Sequence, residues 1–101
     1  MAQVTTQQTD YDLFAWDLSV ATGDWEQLPE MAAEWGEWDI DSRMDFLTDW
    51  PVVEGRTARL FALESSLAPD DDRALRLRDL RALVERNRPI LEELEARIHE
   101  T

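Results

Sequence analysis

Acidic side chains recur at intervals of three or four residues in the first half of the chain. They are Glu26, Glu30, Glu34, Glu37, Asp41, Asp45 and Asp49. Within one helix this spacing places carboxylates on a common face. A dense face of one sign can imitate duplex DNA, which carries one charge per ~1.7 Å of axis, and so occupy a basic nucleic-acid-binding site. The simpler interpretation, which we favour, is a solvated face over an apolar core.

A second group of carboxylates lies near the end of the chain, at Glu92, Glu93 and Glu95. The group is similar to the carboxylate clusters with which all-α nucleotide hydrolases hold magnesium. A hydrolase of that kind needs further acids on a neighbouring helix, and Glu54 and Glu64 are the candidates. Glu95 is expected beside the apolar seam of the last helix, whereas Glu92 and Glu93 point elsewhere, so we favour surface carboxylates. A metal-dependent hydrolase is the least favoured function.

Other residues capable of chemistry lack the companions that a reaction needs. His99 is the one histidine, there is no cysteine, and no glycine-rich loop is present for phosphate. The run from Asp70 to Asp72 suits the start of a helix, where carboxylates favour the free amide groups, better than a metal site. We therefore expect no enzyme activity, no cofactor and no bound metal.

Charge and tryptophan are concentrated in the same half of the molecule. Residues 1–50 hold 12 acids, one arginine and all five tryptophans, for a net charge of −11, whereas residues 51–101 hold 11 acids and nine arginines, for a net charge of −2. The acidic excess repels nucleic acid and anionic membranes. We expect a protein partner that carries either a basic surface or no strong charge, no direct nucleic acid binding and no membrane association. The polar N-terminus and the lack of a long apolar run favour a cytoplasmic location.

Apolar periodicity predicts helices throughout, and no segment alternates like a strand. The predicted helices span about 10–22, 29–37, Asp39 or Asp41 to Trp50, 51–67 and 70–99. The fold class is therefore all-α: a small helical bundle of about five helices with a long C-terminal antiparallel helical hairpin. Residues 1–8 are predicted to form a flexible N-terminal tail, and residues 9–101 a single helical domain.

Helix boundaries follow from capping residues and breakers. Thr9 is predicted to cap the first helix and Gly23 to end it. Pro51 should separate two helices, because the residue before a proline avoids the helical conformation. Pro89 should kink the last helix. The first helix offers two alternative inward faces, which are Leu13, Trp16 and Val20, or Phe14, Leu18 and Ala21.

The last helix carries the most regular apolar seam. Its members are Leu77, Leu80, Val84, Asn87, Leu91, Leu94 and Ile98. Asn87 either fixes the register or oligomeric state of the seam or satisfies backbone groups freed by Pro89. If the front helices cover only the part of the seam near Leu80, its far end stays bare and should pair with a second chain. A homodimer is thus possible.

The sequence as a whole predicts a non-catalytic, acidic helical protein that acts through protein–protein interaction, as a scaffold, adaptor or regulator. The alternative is an acidic nucleic-acid mimic or antitoxin-like inhibitor that blocks a basic nucleic-acid-binding site. The predicted partner-binding residues are Trp35, Trp38, Trp50, Glu30, Glu34, Glu37, Asp41, Asp45, Asp49, Leu91, Leu94 and Ile98.

Overall fold

The computed structural model describes the backbone of residues 2–98 and the side chains of residues 13–98. Three long helices dominate it: α1 (Ala2–Glu26), α3 (Ile40–Ala62) and α4 (Asp72–Ala96). A short helix, α2 (Leu28–Glu34), follows α1, and single 3₁₀ turns occupy Trp35–Glu37 and Glu64–Ser66. The described residues include no strand, so the all-α prediction is confirmed. No helix among them is long and apolar enough to cross a membrane.

The prediction of about five helices with a C-terminal hairpin is wrong. The segments predicted as a third and a fourth helix form one helix, α3, which runs through Pro51. Proline removes one hydrogen bond from a helix interior. Here Pro51 is exposed, whereas Trp50 beside it is buried and Val53 packs against the core, so tertiary packing outweighs the local breaker.

Helix α4 packs mainly against α1 and α2, and less against α3. Arg88–Glu54 joins α4 to α3, and Arg81–Glu64 joins α4 to the 3₁₀ turn after α3, but the seam of α4 is not covered by a hairpin partner alone. The helix also continues without a break through Pro89, whose side chain is exposed. The rest of the α4 seam is covered by α1 and α2, because α4 packs mainly against these two helices.

The ends of α1 lie outside the predicted range in both directions. It begins at Ala2, before Thr9, whose side chain lies outside the described residues. It continues past Gly23, which has no positive φ and therefore does not end the helix. Trp25, fully buried, holds this last turn against the core. The division into a tail of residues 1–8 and a domain from residue 9 stays a prediction.

Two acids predicted near helix starts are N-caps: Asp39, one of two alternatives with Asp41, and Asp71, one of the three acids expected in the first turn of the last helix. Asp39 has an extended backbone conformation, and its carboxylate accepts a 2.7 Å hydrogen bond from the Ser42 amide at the start of α3. Asp71 accepts a 2.9 Å hydrogen bond from the Arg73 amide at the start of α4. Each carboxylate satisfies an amide that has no partner within the first turn. The run from Asp70 to Asp72 therefore contains a helix cap.

The core of the molecule lies where α1, α3 and α4 meet. On α1 the inward face is the one containing Phe14, Leu18 and Ala21, so periodicity offered the right face as one of two alternatives. The remaining buried apolar residues are Trp25, Leu28, Trp35, Trp50, Leu60, Ala74, Leu77, Leu80, Leu83, Val84, Leu91 and Leu94. Leu63, expected to be buried with Leu60, is instead 46% exposed, because α3 has ended at Ala62.

Trp25 joins the three long helices through buried polar contacts. Its indole Nε1 donates a 3.0 Å hydrogen bond to the Thr57 hydroxyl on α3. Its carbonyl accepts a 2.8 Å hydrogen bond from Asn87 Nδ2 on α4. In an unbroken helix that carbonyl would be bonded by the residue four positions later, but this is Pro29, which has no amide hydrogen. Asn87 therefore satisfies a backbone group freed by a proline, although the proline is Pro29 and not Pro89.

Candidate acidic interface

The predicted partner-binding residues separate into buried and exposed groups. Those in the core are Trp35, Trp50, Leu91 and Leu94. Trp38 and Ile98 are partly buried and pack against the core. The six acids are all exposed, and we call them the acidic front: Glu30, Glu34, Glu37, Asp41, Asp45 and Asp49. Of the predicted set, the acidic front is therefore exposed, Trp38 and Ile98 are partly exposed, and the other four residues are buried.

The seam of α4 is covered within one chain. Leu91 is 3% exposed and Leu94 is not exposed at all. Both α1 and α2 pack on α4, so Leu91 and Leu94, which we expected to be bare, are buried within the chain. The reason given for a dimer through Leu91, Leu94 and Ile98 is therefore wrong, and the oligomeric state itself stays untested.

A continuous row of aromatic rings supports the acidic front from beneath. Trp38 stacks in a tilted arrangement on Trp35, with ring centroids 5.4 Å apart, and Phe46 meets Trp35 edge to face at 5.7 Å. Phe46 lies 5.4 Å from Trp50, which in turn meets Trp25 edge to face at 5.0 Å. Such pairs add to the free energy gained from burial alone. The aromatic residues of the first half are thus mainly a core, with Trp38 at its outer edge.

The side chain of Arg43, the only arginine in the first 50 residues, is buried. It is 6% exposed, and its Nε donates a 3.0 Å hydrogen bond to the carbonyl of Trp35. Its guanidinium also lies 5.8 Å from the centroid of the Trp35 indole. As a consequence, every exposed ionisable side chain between residues 13 and 50 is acidic.

The acidic front has two parts. Glu30, Glu34 and Glu37 lie on α2 and the following 3₁₀ turn, whereas the three aspartates lie four residues apart on α3. Between them the chain is extended at Trp38 and Asp39. A spacing of four residues separates carboxylates by ~6 Å along a helix axis, which is sparser than the ~3.4 Å between phosphates of one DNA strand.

A depression of about 390 Å³ lies at the junction of these two parts. Glu37, Trp38, Asp39 and Ser42 line it, so two carboxylates flank a partly exposed indole. Hydrogen bonding from the Ser42 amide holds the pKa of Asp39 below its ordinary value, which keeps this carboxylate ionised. Carboxylates beside an aromatic ring suit the guanidinium or ammonium group of a basic side chain.

Several acids of the second half pair with arginines. Glu54 accepts two 3.1 Å hydrogen bonds from the guanidinium of Arg88, and Glu64 accepts one of 2.7 Å from Arg81. Glu93 pairs with Arg97 one turn further along α4. Three of the five carboxylates considered for a magnesium site, Glu54, Glu64 and Glu93, thus pair with three different arginines. Among the described residues no group of three or more potential ligands is placed to hold a metal ion. His99 lies outside the described residues.

An exposed aromatic surface on α1 was not predicted as a site. Trp16 is 66% exposed and Leu13 is 56% exposed, since the opposite face of α1 enters the core. The sequence contained the signal, because a chain of this size rarely covers five tryptophans. Periodicity could not identify which tryptophan would be left outside.

Comparison with known proteins identifies no relative of this chain. No protein-family model matches this chain, and neither a curated protein nor a solved structure shows significant similarity to it.

Proposed function

We propose that this protein is a non-catalytic interaction protein whose acidic front binds a protein partner with a basic surface. The observation that carries the proposal is the uniform sign of the exposed charge between residues 13 and 50. Surfaces of one sign accelerate the encounter with an oppositely charged partner and discourage partners of like charge. A scaffold, adaptor or regulator with this surface needs no catalytic group of its own.

The burial of Arg43 supports the proposal. An exposed arginine among these acids would neutralise part of the surface and form competing internal pairs. Instead the guanidinium is bound to the carbonyl of Trp35 beneath the surface. Asp24, Glu54, Glu64, Asp71, Asp72 and Glu93 form ion pairs with arginines, and none of these six acids belongs to the acidic front.

The experiment is a pull-down from cells of the native host with the wild-type protein and two charge variants as bait. One variant carries Asp41→Asn, Asp45→Asn and Asp49→Asn in the acidic front. The matched control carries Glu85→Gln, Glu92→Gln and Glu95→Gln, which removes three exposed charges from α4. We expect a specific partner to be retained by the wild type and the control at low salt, and lost with the aspartate variant or at high salt. Equal retention by both triple variants would contradict the proposal.

An inhibitor that mimics nucleic acid is a second candidate, favoured by the regular four-residue spacing of Asp41, Asp45 and Asp49. The two candidate functions differ in which surface of the partner this protein would occupy. If the captured partner binds DNA or RNA, a mimic must compete with that nucleic acid for it, whereas an adaptor binds elsewhere. Displacement of a labelled oligonucleotide from the partner by the wild-type protein separates the two.

A further inference from the structure

A groove runs between α1 and α4, and no residue of the acidic front lines it. Its volume is about 760 Å³. Leu18, Ser19 and Gly23 line it from α1, and Leu80, Ala82 and Leu83 line it from α4. Two helices with a groove of this kind between them offer a third helix a place to pack.

The most exposed tryptophan stands beside this groove. Trp16 precedes Ser19 by three residues and Gly23 by seven, so all three share one side of α1. Trp16 is 66% exposed, and Leu13, three residues before it, is 56% exposed. Tryptophan is enriched among the residues that contribute most to protein interfaces.

Gly23 has no role within the chain that requires glycine. Its φ is not positive, and a Cβ atom built on it would meet nothing within 4 Å. Glycine in a helix interior is less stable than alanine. A glycine at this position does permit the backbone of another helix to approach α1 closely.

The charge of the groove differs from that of the acidic front. Glu26 and Asp79 supply two negative charges, and Arg76 and Arg86 supply two positive charges. A surface that carries both signs can be complementary to itself, because a two-fold axis brings each acid of one copy towards a base of the other. A strongly basic partner gains no advantage here, whereas a second copy of this chain does.

We propose that a second copy of this chain docks on this face, with the α1–α4 groove and Trp16 of each copy forming a two-fold interface. This dimer does not use Leu91, Leu94 and Ile98, which are covered within each chain. It is also independent of the proposed function, since the acidic front remains free for a basic partner.

Sedimentation velocity on the full chain tests the proposal, at several protein concentrations and at low and high salt. We expect a monomer–dimer equilibrium that shifts towards the dimer as salt rises, because each copy carries a net charge of −13 that salt screens. Binding of a basic partner to the acidic front would weaken with salt, so the two proposals fail separately.

Two variants locate the interface. Trp16→Ala and Gly23→Leu should each raise the dissociation constant of the dimer at least tenfold. Val52→Ala and Gly36→Leu are the matched controls, since Val52 is 63% exposed on α3 and a Cβ atom on Gly36 meets nothing within 4 Å. Both controls should leave the constant unchanged. If circular dichroism shows Gly23→Leu to be unfolded, Gly23→Ala replaces it, with a higher unfolding midpoint and a weaker dimer expected.

Two results would overturn the proposal. A single monomeric species up to high micromolar concentration at both salt levels would leave the groove to a different protein or to solvent. A dimer that both Trp16→Ala and Gly23→Leu leave intact would place the interface on another surface.

Discussion

Five acids of the second half form ion pairs with arginines, while the six acids of the acidic front are exposed to solvent. Arg88–Glu54 connects α4 to α3, and Arg81–Glu64 connects α4 to the 3₁₀ turn after α3, so charge in that half contributes to holding these elements together. In the first half the only arginine, Arg43, is buried against Trp35. There, cohesion comes from aromatic rings and the buried contacts of Trp25. The difference supports the proposal that the acidic front binds a partner, because its carboxylates are exposed whereas Glu54 and Glu64 are paired across elements.

The largest predicted effect concerns Trp25, on which the cohesion of the first half depends. Trp25→Ala removes a fully buried indole, its hydrogen bond to Thr57 and its ring contact with Trp50. We expect a loss of about 3–5 kcal/mol in the free energy of unfolding, measured by urea denaturation at low protein concentration. Trp16→Ala is the control, and it should stay within about 0.5 kcal/mol of wild type because that ring is exposed. Similar losses in both variants would show that α1 has been given the wrong inward face.

The second prediction concerns the hydrogen bond between Asn87 and the carbonyl of Trp25. Asn87→Ala leaves a buried carbonyl without a donor, since Pro29 cannot supply one. We expect a loss of about 1–3 kcal/mol in urea denaturation, the cost of an unsatisfied buried polar group. Arg86→Ala, one residue earlier on the exposed side of α4, should change the free energy of unfolding by less than about 0.5 kcal/mol. A neutral Asn87→Ala would mean that the junction of α1 and α2 can rearrange to satisfy this carbonyl.

Local signals in the sequence were sufficient for part of this fold. The all-helical class, the caps at Asp39 and Asp71 and the buried seam on α4 all follow from residue type and spacing over a few positions. These features depend on interactions within one helix or on one helix face. For the candidate site, the spacing of the acids was enough to predict that all members of the acidic front would be exposed.

The remaining features depend on residues far apart in the chain. Pro51 alone predicts a helix end, but burial of Trp50 and packing of Val53 keep α3 continuous, and a local rule does not include that contribution. The partner of Asn87 lies 62 residues away, so it could not be read from the neighbourhood of Pro89. The covering of Leu91 and Leu94 likewise required knowing that α2 packs on α4.

The third prediction compares one acid from each region. Glu54→Gln breaks the bidentate pair with Arg88 and should cost up to about 1 kcal/mol at low salt, with a smaller cost at high salt. Asp45→Asn removes one of several repelling charges and should be neutral or slightly stabilising, within about 0.5 kcal/mol. For the wild type, salt should raise the unfolding midpoint by screening the acidic front. If Asp45→Asn costs as much as Glu54→Gln, the acidic front contributes to folding and the contrast between the regions fails.

The smallest predicted effect concerns Asp24, an acid of the first half that forms an ion pair with Arg56 of the second half. Burial raises the pKa of Asp24 above its ordinary value of 3.8, although Arg56 at 3.4 Å opposes the shift. A carboxyl whose pKa is raised on folding destabilises the protein when ionised, and this effect disappears as the pH falls through the raised pKa. Asp24→Asn should therefore stabilise the protein slightly at pH 7, by less than about 0.5 kcal/mol, and make no difference near pH 3.

Asp39→Asn gives the opposite dependence and serves as the control for Asp24. The pKa of Asp39 is lowered on folding by the Ser42 amide, so its ionised form stabilises the protein above the unfolded pKa. That contribution is lost as the pH falls through the lowered pKa. The difference in unfolding midpoint between wild type and Asp39→Asn should therefore decrease from pH 7 to pH 3. Unfolding midpoints of the three proteins from pH 7 to pH 3 measure both trends. If both variants change the unfolding midpoint in the same direction at pH 7, burial does not dominate the pKa of Asp24. Its ion pair with Arg56 would then be the stronger influence, and Asp24 would resemble the arginine-paired carboxylates of the second half.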